Sequence, residues 1–351
     1  MNNLLKYFLR ITLLPFGALY GCITACRNLL FDWQIKSVYV SSIKTINVGN
    51  LAVGGTGKTP HVEYLIRLLQ NKYTLATLSR GYGRSTSGFM AADEYSTPQT
   101  IGDEPFQLFQ KFDIPVFVSE KRAIGLQQIE QIEPKINLVL LDDAFQHRAI
   151  KPTINILLTD YNSLFVNDLV LPSGRLREWR TGASRADAVI VSKCPTISEQ
   201  QQLEICIEIK KYTKSSTPVF CSTIRYGSPL PYFSNQPNFD LQESVVLLSG
   251  IAQPQLFERD ARQHFDIQQH LIFKDHHVFK NQDLVAIQSK IVLTTEKDVA
   301  KIRPHLHTTD SLFYYWPIEV YFLDNSRANF DEWIEHLPTT QTAAAQKPEC
   351  S

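Results

Sequence analysis

A glycine-rich loop directly after an apolar run is the feature that most restricts the fold of this chain. Ile43–Val48 has the composition of a buried strand, and GNLAVGGTGKTP follows at residues 49–60. Closely spaced glycines allow backbone N–H groups to converge on phosphate oxygens, and a following helix adds the positive end of its dipole. The loop therefore predicts a nucleoside triphosphate site between a strand and a helix.

The loop also carries the side chains that such a site needs. Lys58 can reach the β- and γ-phosphates, which makes it a candidate catalytic residue, and the Thr59 hydroxyl can bind Mg²⁺. The predicted nucleotide-binding residues are Gly54, Gly55, Thr56, Gly57, Lys58 and Thr59. Ala52 replaces the first glycine of the pattern G-x-x-x-x-G-K-[ST], although later glycines still supply backbone freedom. Dinucleotide binding fits less well, because neither GGTGKTP nor RGYGRST satisfies G-x-G-x-x-G.

Such a loop works with an acidic residue at the end of another apolar strand. Leu138–Leu141 is a candidate strand that leads into Asp142 and Asp143, whose carboxylates can organise Mg²⁺ directly or through water. The strand candidate Ala188–Val191 leads into Ser-Lys-Cys-Pro and lacks the Asp of the guanine-recognising pattern N-K-x-D. The sequence therefore favours ATP over GTP.

Apolar, β-rich runs alternate with polar, helix-like segments through most of the chain. Further strand candidates are Thr74–Leu78, Pro115–Val118 and Ile154–Thr159. This alternation is typical of an α/β fold with a doubly wound, mostly parallel sheet, whose strands are apolar because both faces are covered. We therefore predict a P-loop NTPase-like core over residues 36–226.

A stretch rich in Pro, Ser, Asn and Gly separates this core from a second, smaller α/β unit. The stretch covers residues 227–244 and is predicted to be a linker, and the second unit is predicted over residues 245–338. Its predicted strands are Val245–Leu248, Ile291–Thr294 and Phe313–Phe322, and its predicted helices are Gln255–His264 and Asn281–Lys290. Residues 339–351 have too little apolar surface to fold and are predicted to be a flexible tail.

The N-terminal region, residues 1–35, is a candidate membrane contact because residues 11–26 carry no charge. That run is shorter than the roughly 20 residues that span a bilayer. Lys6, Arg10 and Arg27 flank it, with no acidic residue before Asp32, which is typical of an amphipathic helix in an anionic membrane interface. A helix buried against the core is the alternative.

The whole chain has balanced charge, with 35 Lys and Arg against 35 Asp and Glu. It lacks the strong positive field that collects nucleic acid, so no nucleic acid partner is predicted and any anionic ligand must be bound locally. The six cysteines are scattered without a C-x-x-C pair, which indicates free thiols in a reducing compartment rather than a zinc site.

Eight motifs in a fixed order resemble those of one family. They are VGNLAVGGTGKTP, SRGYGR (79–84), GDEP (102–105), LDDAFQH (141–147), LPSGRLRE (171–178), SGIAQP (249–254), DHH (275–277) and TEKD (295–298). This series is similar to that of the tetraacyldisaccharide 4′-kinases of lipid A biosynthesis. The resemblance implies that ATP and Mg²⁺ serve to phosphorylate the 4′-hydroxyl of a lipid disaccharide 1-phosphate. It also implies a peripheral position on the cytoplasmic face of the inner membrane of a Gram-negative bacterium.

The resemblance assigns the proton transfer to two residues. It implies that Asp103 is the general base and that His276 is its partner, while the adjacent His277 leaves the choice within the pair open. A sugar hydroxyl is a poor nucleophile, so a carboxylate placed to accept its proton suits the reaction. Because His276 follows the predicted linker, the pair would be completed only when the two units close.

Further residues are predicted for magnesium and for the substrate. The resemblance implies that Glu104, Asp142 and Asp143 serve Mg²⁺ together with Thr59 of the loop, and the motif residues predicted to bind the substrate are Arg80, His147 and Arg177. Guanidinium groups suit phosphate oxygens, which supports the two arginines. Ala144 departs from the glycine that the family tends to have, and this departure concerns the local backbone rather than the reaction.

Two other functions stay open at this point. One is a kinase or an ATP-dependent ligase for a soluble metabolite, in which residues 11–26 belong to the core. The other is a nucleotide-gated switch or partition-type ATPase that recruits a partner to a membrane, although neither a switch motif nor a second signature lysine is evident. No obligate protein partner is predicted.

Overall fold

The computed structural model of the protein describes residues 10–233, 236–240, 243–275, 277–287, 290–302, 311–323 and 326–336. The predictions for Lys6, His276 and the tail fall outside the described residues. The strands are β1 (Lys44–Asn50), β2 (Leu75–Ser79), β3 (Met90–Ala91), β4 (Val116–Val118), β5 (Leu138–Asp142), β6 (Ile154–Asp160), β7 (Ala188–Ser192), β8 (Val219–Tyr226), β9 (Leu230–Pro231), β10 (Val245–Ser249), β11 (Ile267–Ile272), β12 (Ile291–Thr295), β13 (Leu312–Trp316) and β14 (Ile318–Phe322).

The α-helices of the described residues are α1 (Leu14–Asp32), α2 (Lys58–Leu69), α3 (Pro98–Ile101), α4 (Asp103–Lys111), α5 (Arg122–Ile132), α6 (Glu199–Lys210), α7 (Pro254–Ala261), α8 (Glu296–Ile302) and α9 (Ser326–Glu335). Short 3₁₀ helices lie at Phe165–Asn167, Arg180–Arg185 and Asn281–Ile287. The last of these replaces the α-helix predicted at Asn281–Lys290, while α7 matches the helix predicted at Gln255–His264 to within three residues at its C-terminus.

Over the described residues the strands form two sheets. The first has nine strands in the order β14-β8-β7-β6-β1-β5-β2-β4-β3, and the second has five in the order β11-β10-β12-β13-β9. Neighbouring strands from β8 to β4 along the first sheet are all parallel. This confirms the predicted doubly wound, mostly parallel sheet. Each of the six strands predicted for the core occurs close to its predicted bounds.

The central strands are apolar because helices cover both faces of the sheet. Every residue of β2, β5 and β7 is buried. On one face Val62 and Ile66 of α2 pack with Ile46 of β1, and on the other Leu126 of α5 packs with Val139 of β5. Burial of one such aliphatic side chain contributes about 1.5–3 kcal/mol, so these two layers are the main source of stability of the sheet.

The strand order places two predicted motifs at one edge of the sheet. β1 lies between β5 and β6, and Val48 is aligned with Asp142 on one side and Ile156 on the other. Parallel strands end at the same edge, which is where α/β folds bind ligands. The glycine-rich loop after β1 and the acidic pair after β5 therefore emerge side by side.

The strand predicted at Phe313–Phe322 is wrong, because the structure divides it into two strands of different sheets. Pro317, which has no N–H group to donate to a strand ladder, separates β13 from β14. β13 pairs with β12 in the second sheet, whereas β14 pairs antiparallel with β8 at the edge of the first. Phe330 and Ile334 of α9 then pack into the core of the first sheet. The chain thus returns to the first sheet within residues 245–338, which were predicted to form the second unit.

The N-terminal helix α1 has one packed side and one exposed side. Its buried residues are Gly17 and Gly21, which allow the helix backbone to lie close to the segment 170–179. Phe16, Leu19 and Ile23 are 62%, 62% and 61% exposed. The helix thus packs on the core with one side and presents apolar side chains on the other, and the membrane contact predicted for it stays a prediction. No helix among the described residues has the length and apolar character needed to cross a membrane.

Candidate active site

The glycine-rich loop turns into the first turn of α2. Gly57 immediately precedes the helix with a φ of 83°, and Gly54 has a φ of 113°. Residues with a Cβ rarely adopt such positive φ values, which explains the need for glycine at these two positions. Lys58 is the first residue of α2, so the unpaired amides of the helix N-terminus lie beside its side chain. This is the arrangement expected of a phosphate site.

Neighbouring elements hold the loop in place. Asn50 donates from Nδ2 to Thr56 Oγ1 at 3.0 Å, and Ser192 donates from Oγ to the carbonyl of Thr56 at 2.8 Å. Ala52 forms an antiparallel bridge with Leu176 of the LPSGRLRE motif. Because this residue is bridged to another segment rather than placed in a tight turn, alanine is accommodated where the pattern has its first glycine.

His61 lies beneath the loop and was not predicted from the sequence. Its Nδ1 is 2.7 Å from the carbonyl of Gly57, and its Nε2 is 2.9 Å from Ser222 Oγ. A carbonyl can only accept, so Nδ1 carries the proton and Nε2 accepts from the hydroxyl. Burial lowers the pKa of His61 to about 4, although the bond to Gly57 opposes this shift. The neutral ring therefore ties the loop to β8, and no local sequence pattern indicates that pairing.

The acidic pair faces the loop lysine. Lys58 Nζ lies 3.8 Å from Asp143 Oδ1. Asp142 is buried, and burial raises its pKa to about 7; Lys58 opposes the rise, whereas the charges of Asp143 and Glu104 add to it. Asp142 Oδ1 is a buried oxygen without a hydrogen-bond partner. An orphaned carboxylate oxygen beside a phosphate loop suits a hard cation such as Mg²⁺, which neutralises charge and uses oxygen ligands.

Two arginines brace the acidic pair. Arg177 holds Asp143 in a forked contact, with Nη1 at 3.0 Å from Oδ1 and Nη2 at 3.1 Å from Oδ2. Arg122 donates from Nη2 to the carbonyl of Asp142 at 3.3 Å, and burial lowers the pKa of Arg122 to about 10. Arg177 was predicted to bind the substrate, and here its guanidinium is engaged by a carboxylate. Arg122 was not predicted, because it belongs to none of the recognised motifs.

A positively charged edge lies next to the acidic pair. Burial and the charges of Arg122, Arg27 and Arg80 together lower the pKa of His147 to about 4. Arg80 is exposed, whereas His147 is half-buried. Arg27 comes from α1 and donates to the carbonyl of Gln146 at 2.7 Å. The structure thus places the predicted residues Arg80 and His147 together, and it adds Arg27 and Arg122 to them.

The GDEP motif forms the start of α4. Gly102 precedes the helix with a φ of 98°, and a Cβ at that position would lie 3.0 Å from the Cα of Gly81. This close approach brings the SRGYGR motif against GDEP. Asp103 and Glu104 occupy the first turn of α4, where the helix dipole favours negative charge. Glu104 is near enough to raise the pKa of Asp142, so the GDEP carboxylates and the acidic pair belong to one site.

Helix α8 of the second unit contributes lysines to the same site. Lys301 Nζ is 3.7 Å and Lys297 Nζ is 3.9 Å from Asp103 Oδ2, and Lys297 Nζ is also 3.4 Å from Glu104 Oε1. Both lysines lie on α8, which begins within the TEKD motif. His277 is engaged by Asp283, with 3.0 Å between Nε2 and Oδ2. His276 lies outside the described residues, so its predicted partnership with Asp103 stays a prediction.

A cleft beside the glycine-rich loop lies between the two units. Its walls come from the loop, from the ends of β6 and β7 and from the SGIAQP motif of the second unit. The lining includes Gly54, Gly55, Thr56, Asp160, Phe165, Arg175, Lys193 and Gln253. Lys193 pairs with Asp160 at 2.9 Å across the floor of this cleft. A nucleotide whose phosphates lie on the loop would extend into this space.

Comparison with known proteins gives consistent matches over nearly the whole chain. Residues 9–338 match the family described as tetraacyldisaccharide-1-P 4′-kinase. The tetraacyldisaccharide 4′-kinase of Flavobacterium psychrophilum is 45% identical over 342 residues, which cover 95% of this chain and 98% of that protein. The protein of the same name from Parabacteroides distasonis is 42% identical, with 93% of this chain and 94% of that protein covered.

A solved structure supports the same comparison. The crystal structure of LpxK from Aquifex aeolicus in complex with ATP matches with a TM-score of 0.75 and 27% sequence identity, covering 93% of this chain and 99% of that one.

Proposed function

The chain belongs to the tetraacyldisaccharide-1-P 4′-kinase family, and we propose that Asp103 is the general base of its reaction. The enzyme transfers the γ-phosphoryl group of ATP to the 4′-hydroxyl of a tetraacyldisaccharide 1-phosphate in lipid A biosynthesis. One observation carries the site assignment: the loop lysine, Lys58, faces Asp143 at the shared edge of two parallel strands. The soluble-metabolite kinase and the ATPase switch are set aside, because neither explains a family match over residues 9–338.

The residues around the loop bind and orient the phosphates. Lys58 and the amides at the N-terminus of α2 hold the β- and γ-phosphates, and the glycines keep the backbone close to them. Thr59, Asp142, Asp143 and Glu104 would hold Mg²⁺, which supplies neutralisation of the charge on the phosphate oxygens when it is bound. Arg177 fixes the direction of Asp143 through its forked contact, and so positions a metal-binding carboxylate rather than the acceptor.

Asp103 is proposed to accept the proton of the acceptor hydroxyl. It lies at the start of a helix, next to the Glu104 carboxylate that faces Asp142. Transfer to a sugar hydroxyl gains from a carboxylate that takes the proton as the new oxygen–phosphorus bond forms. His276 is proposed to orient Asp103, and the engagement of the neighbouring His277 by Asp283 supports that choice within the pair.

The positively charged edge beside the acidic pair, called the basic edge below, is proposed to bind the phosphorylated acceptor. Arg80 and His147 lie there, and Arg27 and Arg122 add positive charge to it. An anionic sugar phosphate gains from several cationic groups at once, and guanidinium forks match phosphate oxygens in geometry. Arg27 belongs to α1, so the N-terminal helix forms part of the acceptor side of the site.

We further propose that the exposed face of α1 holds the enzyme at the cytoplasmic surface of the inner membrane, as a peripheral protein. The acceptor has four acyl chains, so its sugar must be phosphorylated at a lipid surface. Tyr20 of α1 donates from its hydroxyl to the carbonyl of Arg177 at 3.1 Å, which joins the helix directly to the active site. Phe16, Leu19 and Ile23 project on the side of the helix away from the buried Gly17 and Gly21. A membrane bound by these side chains would deliver its lipids beside the basic edge.

The reaction is tested by supplying the protein with γ-labelled ATP, Mg²⁺ and tetraacyldisaccharide 1-phosphate in vesicles, and by locating the new phosphate on the sugar by NMR. Phosphate at the 4′-oxygen is expected. Lys58→Ala should lose ATP-dependent turnover, whereas Asp103→Asn should retain ATP binding and lose at least about 100-fold in kcat. Asp103→Asn with a near wild-type kcat would show that another group is the base.

The membrane contact is tested by replacing Phe16, Leu19 and Ile23 together with serine. Each side chain has about 60% of its surface exposed, so insertion of each is worth about 1–2 kcal/mol and the triple variant should bind anionic vesicles roughly 100-fold or more weakly. The matched control replaces the exposed apolar residues Leu203 and Ile207 of α6 with serine, and it should bind vesicles as the wild type does. Equal vesicle binding by the triple variant would refute the contact.

A further inference from the structure

A buried ionic cluster joins three helices behind the active site. Lys111, the last residue of α4, has its Nζ 2.6 Å from Glu63 Oε2 of α2, and it also pairs with Glu296 of α8. The side chains of Glu63 and Glu296 are only 2% and 7% exposed. Burial and the charge of Glu296 raise the pKa of Glu63, while Lys111 opposes the rise. Charged side chains are seldom buried as fully as these two carboxylates are. Their burial therefore indicates a role other than keeping the surface soluble.

The three helices in this cluster are those that carry the proposed chemistry. Glu63 lies on α2, whose first residue is Lys58. Lys111 lies on α4, whose first residue is Asp103. Glu296 is the first residue of α8, which belongs to the second unit. A shift in the cluster would therefore change the position of the proposed base relative to the phosphate loop.

The contact between α4 and α8 is ionic at both ends of α4, with opposite polarity. At the N-terminus of α4 the carboxylates of Asp103 and Glu104 face lysines of α8. At the C-terminus the ammonium of Lys111 faces a carboxylate of α8. This reversal of charge along the interface favours one direction of the two helices, because the opposite direction would take Lys111 away from Glu296 and the lysines of α8 away from Asp103 and Glu104.

Further hydrogen bonds keep the cluster carboxylates in one orientation. Gln107 donates from Nε2 to Glu63 Oε1 at 2.9 Å, and the backbone N–H of Ile318 donates to Glu296 Oε2 at 3.3 Å. Ile318 begins β14, the strand that leads the chain back to the first sheet. The cluster therefore lies where the first sheet, the second unit and the returning strand meet.

We propose that Lys111 is a positioning residue for phosphoryl transfer, which holds α4 between the phosphate-loop helix and the second unit so that Asp103 lies in line with the reacting groups. This inference rests on the proposed role of Asp103 as the base. Lys111 does not touch the substrate. It acts through Asp103, two helical turns away along α4.

Loss of the ammonium group leaves two buried carboxylates near each other: Glu296 loses its ion pair with Lys111, and Glu63 keeps its pair with Arg67 at 3.3 Å. Their repulsion would separate α2 from α8 and move the start of α4. A displacement of about 1 Å at a reacting group is enough to reduce turnover roughly 100-fold. The phosphate loop and the N-terminus of α2 keep their own contacts with Asn50 and Ser192, so ATP binding should be preserved. A fall in kcat with an unchanged affinity for ATP is therefore the expected signature.

The experiment compares Lys111→Met, Lys111→Arg and Glu296→Gln with the wild type in the full-length protein. Lys72→Met is the matched control, since Lys72 also pairs with a glutamate, Glu335 at 2.6 Å, but on the surface. Three quantities are measured: kcat with the vesicle-bound acceptor, the Kd for ATP by titration without acceptor, and the urea midpoint of unfolding.

The inference is supported if Lys111→Met loses at least about tenfold in kcat while its Kd for ATP stays within twofold of wild type. Lys111→Arg should then regain most of the kcat. Wild-type kcat in Lys111→Met overturns the inference, and so does a loss of ATP affinity in proportion to the loss of kcat. If Lys111→Met does not fold, Glu296→Gln decides by the same criteria. A wild-type protein without 4′-kinase activity would instead contradict the proposed function, which separates the two failures.

Discussion

The neutral, buried state of His61 predicts a specific loss of stability in mild acid. The pKa of His61 is lowered from 6.5 to about 4 in the folded protein. Between those two values the unfolded chain binds a proton that the folded protein does not, so the free energy of unfolding falls as the pH falls through this window. The full effect of this pKa difference is about 3 kcal/mol, and most of it is lost by pH 4.5. The ring is only 2% exposed, so solvent screening reduces the effect little.

The measurement is urea unfolding of the wild type and of His61→Gln at pH 7 and at pH 4.5. Other groups titrate equally in both proteins, so the drop in the free energy of unfolding should be about 2 kcal/mol larger in the wild type. His264→Gln, the same substitution at an exposed histidine, is measured in parallel. Parallel pH dependence in the wild type and His61→Gln would refute the argument that His61 is held neutral beneath the loop.

Three further substitutions test local geometry. Gly57→Ala forces a residue with a Cβ to adopt a φ of 83°, which costs about 1–2 kcal/mol. Because the strain displaces the amides at the start of α2, calorimetry should show at least tenfold weaker ATP binding. Arg177→Lys keeps the charge but cannot make the forked contact with Asp143. Steady-state kinetics should therefore show a lower kcat, while the urea midpoint of unfolding stays unchanged. A kcat equal to that of the wild type would contradict the role of the forked contact in orienting Asp143. A Cβ at Gly21 would lie 2.5 Å from the Trp179 ring, so Gly21→Val should loosen α1 and expose it to trypsin, as mass spectrometry of the fragments would show.

Local sequence patterns were sufficient to predict the core strands, the glycine-rich loop and the acidic pair. Each of the six core strands is a continuous apolar run, and such runs form wherever a parallel strand is covered on both faces. The glycine-rich loop is equally local, because backbone freedom, a lysine and a hydroxyl residue must follow one another within a few positions. Asp142 and Asp143 could be found for the same reason, as an acidic pair that ends an apolar run.

Other parts of the fold depended on contacts between distant segments. β8 was not predicted, and one of its two neighbours in the sheet, β14, lies about a hundred residues further along the chain, where no local pattern connects the two strands. Pro317 could have indicated the break between β13 and β14, since proline lacks the N–H group that a continuous strand needs. The return of the chain to the first sheet could not be inferred, because strand pairing is a property of the whole sheet.

The sequence by itself determined the parallel α/β core, the phosphate loop, the acidic pair and the order of the motifs, because each is specified by residues that are close along the chain. Only the tertiary structure decided that His61 supports the loop, that Arg122 and Arg177 brace the acidic pair, and that Lys111 joins α2 to α8. A buried charge or a neutral histidine is stable only beside particular partners, and those partners come from segments that the fold alone brings together.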